Sequence, residues 1–327
     1  MSQPRFDMTG IGNAIVDLLV RADDAFLSKH DMRKGAMTLI DADTATRLTA
    51  EMAGGRTASG GSVANSCAVA AALGARVAFL GKVAKDEMGE AFRRDISAIG
   101  VHYPTAPLEA GVPTARCLIF VTPDGQRTMN TYLGAGGEFS LGDLDESVIA
   151  ESAITYLEGY LFDPPAAQAA FAEAAKIARA AGRLTALSLS DPFCVDRHRD
   201  GFRRLIKEGV DILFANEAEI CSLYQMEDFA DAAQAAARDV KLAVLTKSEA
   251  GSVVIQDLNI TRIGAVPTAV VDTTGAGDAY AAGFMTAYAQ GKPVKEAGEL
   301  GARAAALTIS QIGARPPAEA LRGLVGG

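Results

Sequence analysis

The segment Asp272-Thr-Thr-Gly-Ala-Gly-Asp278 ends in small residues and leads into an Ala-rich stretch that carries Gly283. Small residues let the backbone approach an anion closely, and the unpaired N–H groups and dipole at a helix start favour negative charge there. Gly275, Ala276, Gly277 and Asp278 therefore make a candidate anion hole through their amides. A carboxylate beside such a hole is electrostatically costly unless it has a task, and the task that suits Asp278 is to accept the proton of an attacking hydroxyl. An unshifted carboxylate does not deprotonate an alcohol beforehand. The proton would move as the O–P bond forms, with positioning carrying most of the catalysis. The competing reading is an Asp that caps a helix after a glycine turn.

Three further groupings have chemistry in reach. In Gly60-Gly61-Ser62-Val63-Ala64-Asn65, a tight glycine turn with a potential cap at Ser62 places Asn65 one turn into a helix. Asn both donates and accepts, which suits vicinal hydroxyls; a capped helix start without a ligand is the alternative. Asn13 and Asp17 interrupt an apolar run and would point into a site, unless they only end a strand. In Asn216-Glu217-Ala218-Glu219, Asn216 and Glu219 share one helix face at i, i+3 and can hold Mg²⁺ through water, since magnesium keeps several of its waters. Helix capping is the plainer role for that pair. Arg127, at the start of a hairpin strand, is placed to close over phosphate oxygens, although an exposed hairpin Arg is the usual case. Gly10-x-Gly12 lacks the third glycine of a dinucleotide fingerprint, and no GxxxxGK[ST] occurs, so neither an oxidoreductase nor a P-loop enzyme is supported.

These residues need elements to position them. Apolar runs at 9–20, 77–80, 154–157, 185–189, 212–215, 242–246 and 252–256 read as strands, and 36–40 as a shorter one. Helical periodicity appears after residue 60 and at 85–99, 166–181, 202–208, 228–239, 278–290 and 294–309. Beyond residue 150 strands alternate with helices, which implies right-handed crossovers and a parallel sheet. The strands 114–121 and 127–133 flank Pro123-Asp124-Gly125 and predict an antiparallel hairpin that breaks the alternation. The hairpin is therefore grouped with the early segment as a small sheet acting as a lid. The expected larger unit covers 1–13, 46–106 and 134–327, and the lid 14–45 and 107–133. No internal repeat is apparent.

Composition limits the partners. With 49% apolar residues a large core can form, and the net charge of −9 comes with Lys and Arg scattered along the chain, which removes the footprint of a nucleic-acid binder. Small molecules are the expected partners. Four dispersed cysteines and three isolated histidines exclude the spacing of a structural zinc site. No apolar stretch reaches the length of a membrane span, and the first residues lack a signal-peptide pattern, so a cytoplasmic protein with reduced thiols is expected.

Taken together, these segments resemble the ribokinase-like (PfkB) family of carbohydrate and nucleoside kinases over almost the whole chain. GGSVAN at 60–65 looks like its N-terminal signature, NEAE at 216–219 its magnesium and phosphate motif, and DTTGAGD at 272–278 its catalytic signature. Within the family the resemblance is strongest to the bacterial-type branch acting on adenosine. It is carried by GNAIVD at 12–17, RTMNTYLGA at 127–135, YLEGYLFDPP at 156–165 and DPFCVDRHR at 191–199.

The resemblance implies a three-layer α/β/α fold with a mostly parallel sheet and a small β-sheet lid, and transfer of the ATP γ-phosphate to the 5′-hydroxyl of adenosine. It implies Asp278 as base and Arg127 on the transferring phosphate. Asp17 would bind the ribose hydroxyls with Gly60, Gly61, Ser62 and Asn65, and Asn13 would line the pocket. Glu158 occupies a place where sugar kinases of the family carry a ribose-binding Glu and many adenosine kinases a small residue. ATP would lie along Asn216, Lys247, Ser248, Gly251, Thr273, Gly275 and Gly277, with Mg²⁺ near Asn216 and Glu219. Gly298, Gly301, Ala302 and Ala305 would leave a slot for adenine or serve close helix packing. Asp272 and Thr274 are the candidate ligands of a monovalent cation, K⁺. The expected partners are a nucleoside and ATP, with no nucleic acid and no membrane, in a monomer or a homodimer joined at lid edges. Other acceptors in the same family, another nucleoside or a sugar such as ribose or fructose, and a catalytically silent nucleoside-binding protein are the rival readings.

Overall fold

The computed structural model describes residues 3–52 and 55–325. Residues 1–2, 53–54 and 326–327, which the expected larger unit includes, lie outside the described residues. The larger sheet contains β1 (Phe6–Ile11), β5 (Val77–Leu80), β8 (Ser152–Glu158), β9 (Leu184–Ser188), β10 (Ile212–Asn216), β11 (Leu242–Thr246), β12 (Ser252–Gln256) and β13 (Asn259–Ile263). Their order is β13-β12-β11-β10-β9-β8-β1-β5. Pairing is parallel from β5 to β11, and β12 and β13 add an antiparallel edge.

Short apolar runs such as VAFL and LAVL are what a parallel sheet covered on both faces demands. The two-residue period divides them between two cores: Ile212 and Phe214 face one, Leu213 and Ala215 the other. The first core is closed by the helices Ser62–Ala72, Ala276–Ala289 and Val294–Ile309, the second by Pro165–Ala180, Pro192–Gly209 and Phe229–Asp239. The sheet is thus the middle layer of three. Among the described residues no helix is long and apolar enough to cross a membrane.

The smaller sheet contains β2 (Ile15–Arg21), β3 (Met37–Leu39), β4 (Arg56–Gly60), β6 (Ala115–Val121) and β7 (Arg127–Tyr132), in the order β3-β7-β6-β2-β4. The expected hairpin is β6–β7, antiparallel, with Val121 opposite Arg127 and Gly125 at φ +82° in the turn. The run at 9–20 divides at Gly12–Ala14, so β1 and β2 enter different sheets. Two expected boundaries move. β4, assigned by sequence to the larger unit at 46–106, is the edge strand of the smaller sheet, pairing antiparallel with β2. Residues 107–114, assigned to the lid, start against the larger unit, where Leu108 exchanges backbone hydrogen bonds with Val83 and Lys85. A small core of Leu27, Leu48, Met52, Leu118 and Phe120 closes one face of the smaller sheet.

Candidate active site

The parallel strands all deliver their last residues to one end of the sheet, where ligands of open α/β sheets bind. Glu158 ends β8, Ser188 ends β9, Asn216 ends β10, and Asn13 follows β1. Two helix starts face that end. The helix Ala276–Ala289 begins after Gly275, a left-handed cap at φ +76° where an added Cβ would lie 2.5 Å from Ala314 Cβ. Only glycine meets both conditions. The Ala276 amide turns onto Thr273 O at 3.3 Å, whereas helix geometry leaves the Gly277 and Asp278 amides without an intrahelical acceptor. Of the amides expected to form the anion hole at 275–278, that of Ala276 is thus engaged, and those of Gly277 and Asp278 point out of the helix start. The helix Ser62–Ala72 begins after Gly61 at φ +96°, where a Cβ would lie 2.2 Å from Asn13 O.

Asp278 does not cap its helix, as the plain reading had it; it is the third helical residue and its carboxylate is held from the other helix start. Ser62 Oγ donates to Oδ1 at 2.6 Å and Asn65 Nδ2 to Oδ2 at 3.2 Å, while Ser66 Oγ donates to the Asp278 carbonyl at 3.0 Å. Ser62, expected as a cap, is the first helical residue, and its hydroxyl serves Asp278 instead. Burial pushes the Asp278 carboxyl up to about 6, against the pull of Ser62, Asn65 and Arg315. It therefore titrates nearer neutrality than a solvated Asp.

Asp17 on β2 lies against Gly60, where a Cβ would come 2.3 Å from its Oδ2. Burial raises it to about 6, with Arg315 and Arg127 pulling down and Asp278 pushing up. Asn13 and Glu158 form a buried pair. Glu158 Oε1 accepts Asn13 Nδ2 at 2.7 Å and Asn13 N at 3.3 Å, and Oε2 accepts Val63 N at 2.9 Å. Both carboxylate oxygens are thus occupied within the protein, and burial pushes the group up to about 7. Asn13 Oδ1 is left buried without a partner.

Arg127 crosses from the hairpin to the loop before the helix Ala276–Ala289, donating to Asp272 and to Thr274 Oγ1 at 2.7 Å. Asp272 also accepts Gly313 N at 2.8 Å and Thr274 N at 3.0 Å. Burial would raise its carboxyl, but these amides and the Arg127 charge hold it below the usual range. The carboxylate expected to bind a monovalent cation is therefore already served by a guanidinium and two amides, and Thr274 Oγ1 accepts from the same Arg.

A cleft of about 670 Å³ adjoins Asp278. Ser62, Ser188, Ser190, Asn216, Glu219, Thr273 and Gly277 contribute polar groups, and Tyr280, Ala302, Ala305, Ala306 and Ile309 an apolar wall. Ser248 and Gly251 line it as expected. Lys247 does not: its Nζ is 3.1 Å from Glu217 Oε1 and 4.0 Å above the Phe229 ring. The small residues of Val294–Ile309 divide between the two expected uses. A Cβ on Gly301 would lie 2.7 Å from Tyr280 O and one on Gly298 2.7 Å from Ile263, which is close packing, while Ala302 and Ala305 line the cleft.

Asn216 and Glu219 form a complete capping box: Glu219 N donates to Asn216 Oδ1 at 2.9 Å, and Asn216 N donates back to Glu219 Oε2 at 2.9 Å. Glu219 is 6% exposed, and burial, with the charges of Asp191 and Asp278 adding to it, drives its carboxyl up to about 7. Its other oxygen, Oε1, accepts Asn216 Nδ2 at 2.6 Å, so a divalent cation here would be held through its own waters, and it would relieve that repulsion.

The residue that sequence reasoning missed is Arg315. Its Nε donates to Asn65 Oδ1 at 2.8 Å and its Nη2 to Gly60 O at 3.3 Å. Gly313-Ala-Arg-Pro-Pro carries no recognisable motif; its one signal is an Arg stiffened by two following prolines.

The chain matches the model of the pfkB family carbohydrate kinases over residues 35–321. It is similar to the adenosine kinase of Sinorhizobium meliloti, with 52% identity, 98% of each chain covered and a TM-score of 0.91. A probable sugar kinase protein from Rhizobium etli is 46% identical over 98% of each chain, with a TM-score of 0.92. Adenosine kinase 2 of Arabidopsis thaliana is 25% identical over 339 aligned positions covering 95% of each chain.

Proposed function

The chain belongs to the pfkB family of carbohydrate kinases and is an ATP-dependent phosphotransferase acting on a hydroxyl group, and we propose that its acceptor is the 5′-hydroxyl of adenosine, giving AMP and ADP. The observation that carries this reading is the carboxylate of Asp278, held by Ser62 and Asn65 at the mouth of a nucleotide-sized cleft, in a chain 52% identical to an adenosine kinase.

In this reading ATP occupies the cleft of about 670 Å³, its adenine against Ala302, Ala305 and Ile309 and its phosphates toward Gly277. The amides of Gly277 and Asp278 take the negative charge that builds on the transferring group, and they need no reorganisation to do so. Asp278 orients the acceptor hydroxyl and accepts its proton as the O–P bond forms and the bond to the ADP oxygen breaks. Asp17, with Asn65 and the Gly60–Gly61 turn, holds the ribose hydroxyls. Asn216 and Glu219 would hold magnesium through its waters, where it would neutralise phosphate charge. Arg127 exchanges Asp272 and Thr274 for phosphate oxygens when the hairpin closes, and closure excludes water that would otherwise hydrolyse ATP. Four free thiols, three of them buried, fit a reducing cytoplasmic setting.

A sugar acceptor is the second reading, favoured by Glu158 and by the similarity to a probable sugar kinase. Against it, both Glu158 oxygens already accept hydrogen bonds from Asn13 and Val63. The deciding experiment is ADP release with Mg-ATP across nucleosides, ribose and fructose. Adenosine should be consumed fastest; a free sugar consumed much faster than adenosine would overturn the assignment.

A further inference from the structure

Residues 313–315 touch the loop before the helix Ala276–Ala289 and its surroundings at three successive points. Gly313 N donates to Asp272, Ala314 packs on the Cα of Gly275, and Arg315 reaches across to Asn65 and Gly60. The Arg315 contact determines which way the Asn65 amide faces. A guanidinium only donates, so the atom it meets must be the amide oxygen, and the amide nitrogen must face the other way. That nitrogen is the one that donates to Asp278 Oδ2 at 3.2 Å.

We propose that Arg315 is a positioning residue of the transfer reaction, orienting Asn65 so that it donates to Asp278 and keeping a positive charge beside the Asn65–Gly60 edge of the site. The inference rests on the reading of Asp278 as base and adds the group that keeps it usable. Burial works against the ionised form of the Asp17 and Asp278 carboxylates, and Arg315 opposes that at each. The other charged groups around Asp278 are Asp17, Glu158 and Glu219, all acidic, with the hydroxyls of Tyr156 and Tyr160 also in its field. Among the groups acting on Asp278, Arg315 is the cation. Without it, Ser62 and Asn65 would hold a carboxyl facing three other acids.

The test compares full-length Arg315→Gln, Arg315→Lys and Asp278→Asn by pH profiles of kcat and kcat/KM with Mg-ATP and adenosine. Arg315→Gln should lower kcat by about 10²-fold through misplacement of the base. It should also move the acid limb of kcat/KM upward by about one pH unit, since an opposing charge nearby is lost. Arg315→Lys keeps the charge but not the fork, so its acid limb should stay at the wild-type position while kcat remains depressed. An anchor that only fastens the C-terminal segment would not move the acid limb, so an unmoved limb in folded Arg315→Gln overturns the proposal. Should that variant not fold, wild-type kcat in Arg315→Lys overturns it equally. Asp278→Asn separates the two levels. Lost turnover there beside an unaffected Arg315→Gln removes Arg315 and leaves the base; unchanged turnover removes the base itself.

Discussion

Ser62 Oγ donates to Oδ1 of Asp278 at 2.6 Å, joining two helix starts 216 residues apart in sequence. The two glycine turns thus form one construction, in which the first helix start supplies the donors that hold the acid of the second. A hydrogen bond to an ionised group contributes about 1.5–3 kcal/mol, and most of that favours the charged form.

Ser62→Ala should therefore weaken the base rather than the fold. The expected result is a fall of about tenfold in kcat/KM at pH 7 with the acid limb displaced upward. Pre-steady-state or steady-state pH profiles check it; an unchanged acid limb would mean that Ser62 does not act on Asp278.

Activity and stability should respond to acid in opposite directions. Asp17 and Asp278 are raised to about 6, and Glu158 and Glu219 to about 7. In the unfolded chain these groups titrate near 4, so between about pH 4 and 7 the folded protein binds more protons and its stability rises as pH falls. Carboxyls held low, such as Asp124 at about 2, lose their stabilisation only below that window. The melting temperature of the ligand-free protein should climb from pH 7.5 to 5.5 while kcat/KM declines. A parallel fall of both would contradict the assigned environments.

Glu158 is read as the clamp on Asn13 and on the helix start at Val63. Glu158→Ala would leave three buried donors unpaired and should destabilise the protein by about 2–4 kcal/mol in chemical denaturation. Glu158→Gln keeps the shape and one acceptor but turns an NH2 toward a remaining donor, so it should recover only part of the stability. If Glu158→Ala instead spared stability and abolished only acceptor binding, the residue would be a direct ligand.

Lys247 separates the structural reading from the sequence expectation. Its ammonium faces Glu217 and the Phe229 ring, outside the cleft. Lys247→Ala should leave the KM for ATP unchanged and reduce stability by ~1 kcal/mol at most. A marked rise in that KM would return Lys247 to the nucleotide.

What was legible in the sequence follows the range of the interactions involved. The strands at 77–80, 242–246 and 252–256 and the helix at 294–309 are local apolar patterns, and they stand at those residues. The two glycine turns were legible because Gly61 and Gly275 adopt backbone angles that only glycine takes without strain. β4 was not, because RTASG has almost no β-branched or aromatic residues and is a strand only through its pairing with β2. β13 escaped because its side chains are mostly exposed and show no apolar alternation. Arg315 was invisible because the direction of a long side chain is set by its tertiary partners, here Asn65, as Glu217 sets that of Lys247.

Asp278 as the proton acceptor for adenosine is tested most directly by ADP release from Asp278→Asn with Mg-ATP and adenosine, alongside calorimetric binding of adenosine. Asn is isosteric and still accepts from Ser62; it loses the hydrogen bond from Asn65 Nδ2, and the rest of the pocket should persist. Turnover should fall by about 10²–10⁴-fold while adenosine binding is retained. Turnover at the wild-type rate in that variant would contradict the assignment of the base.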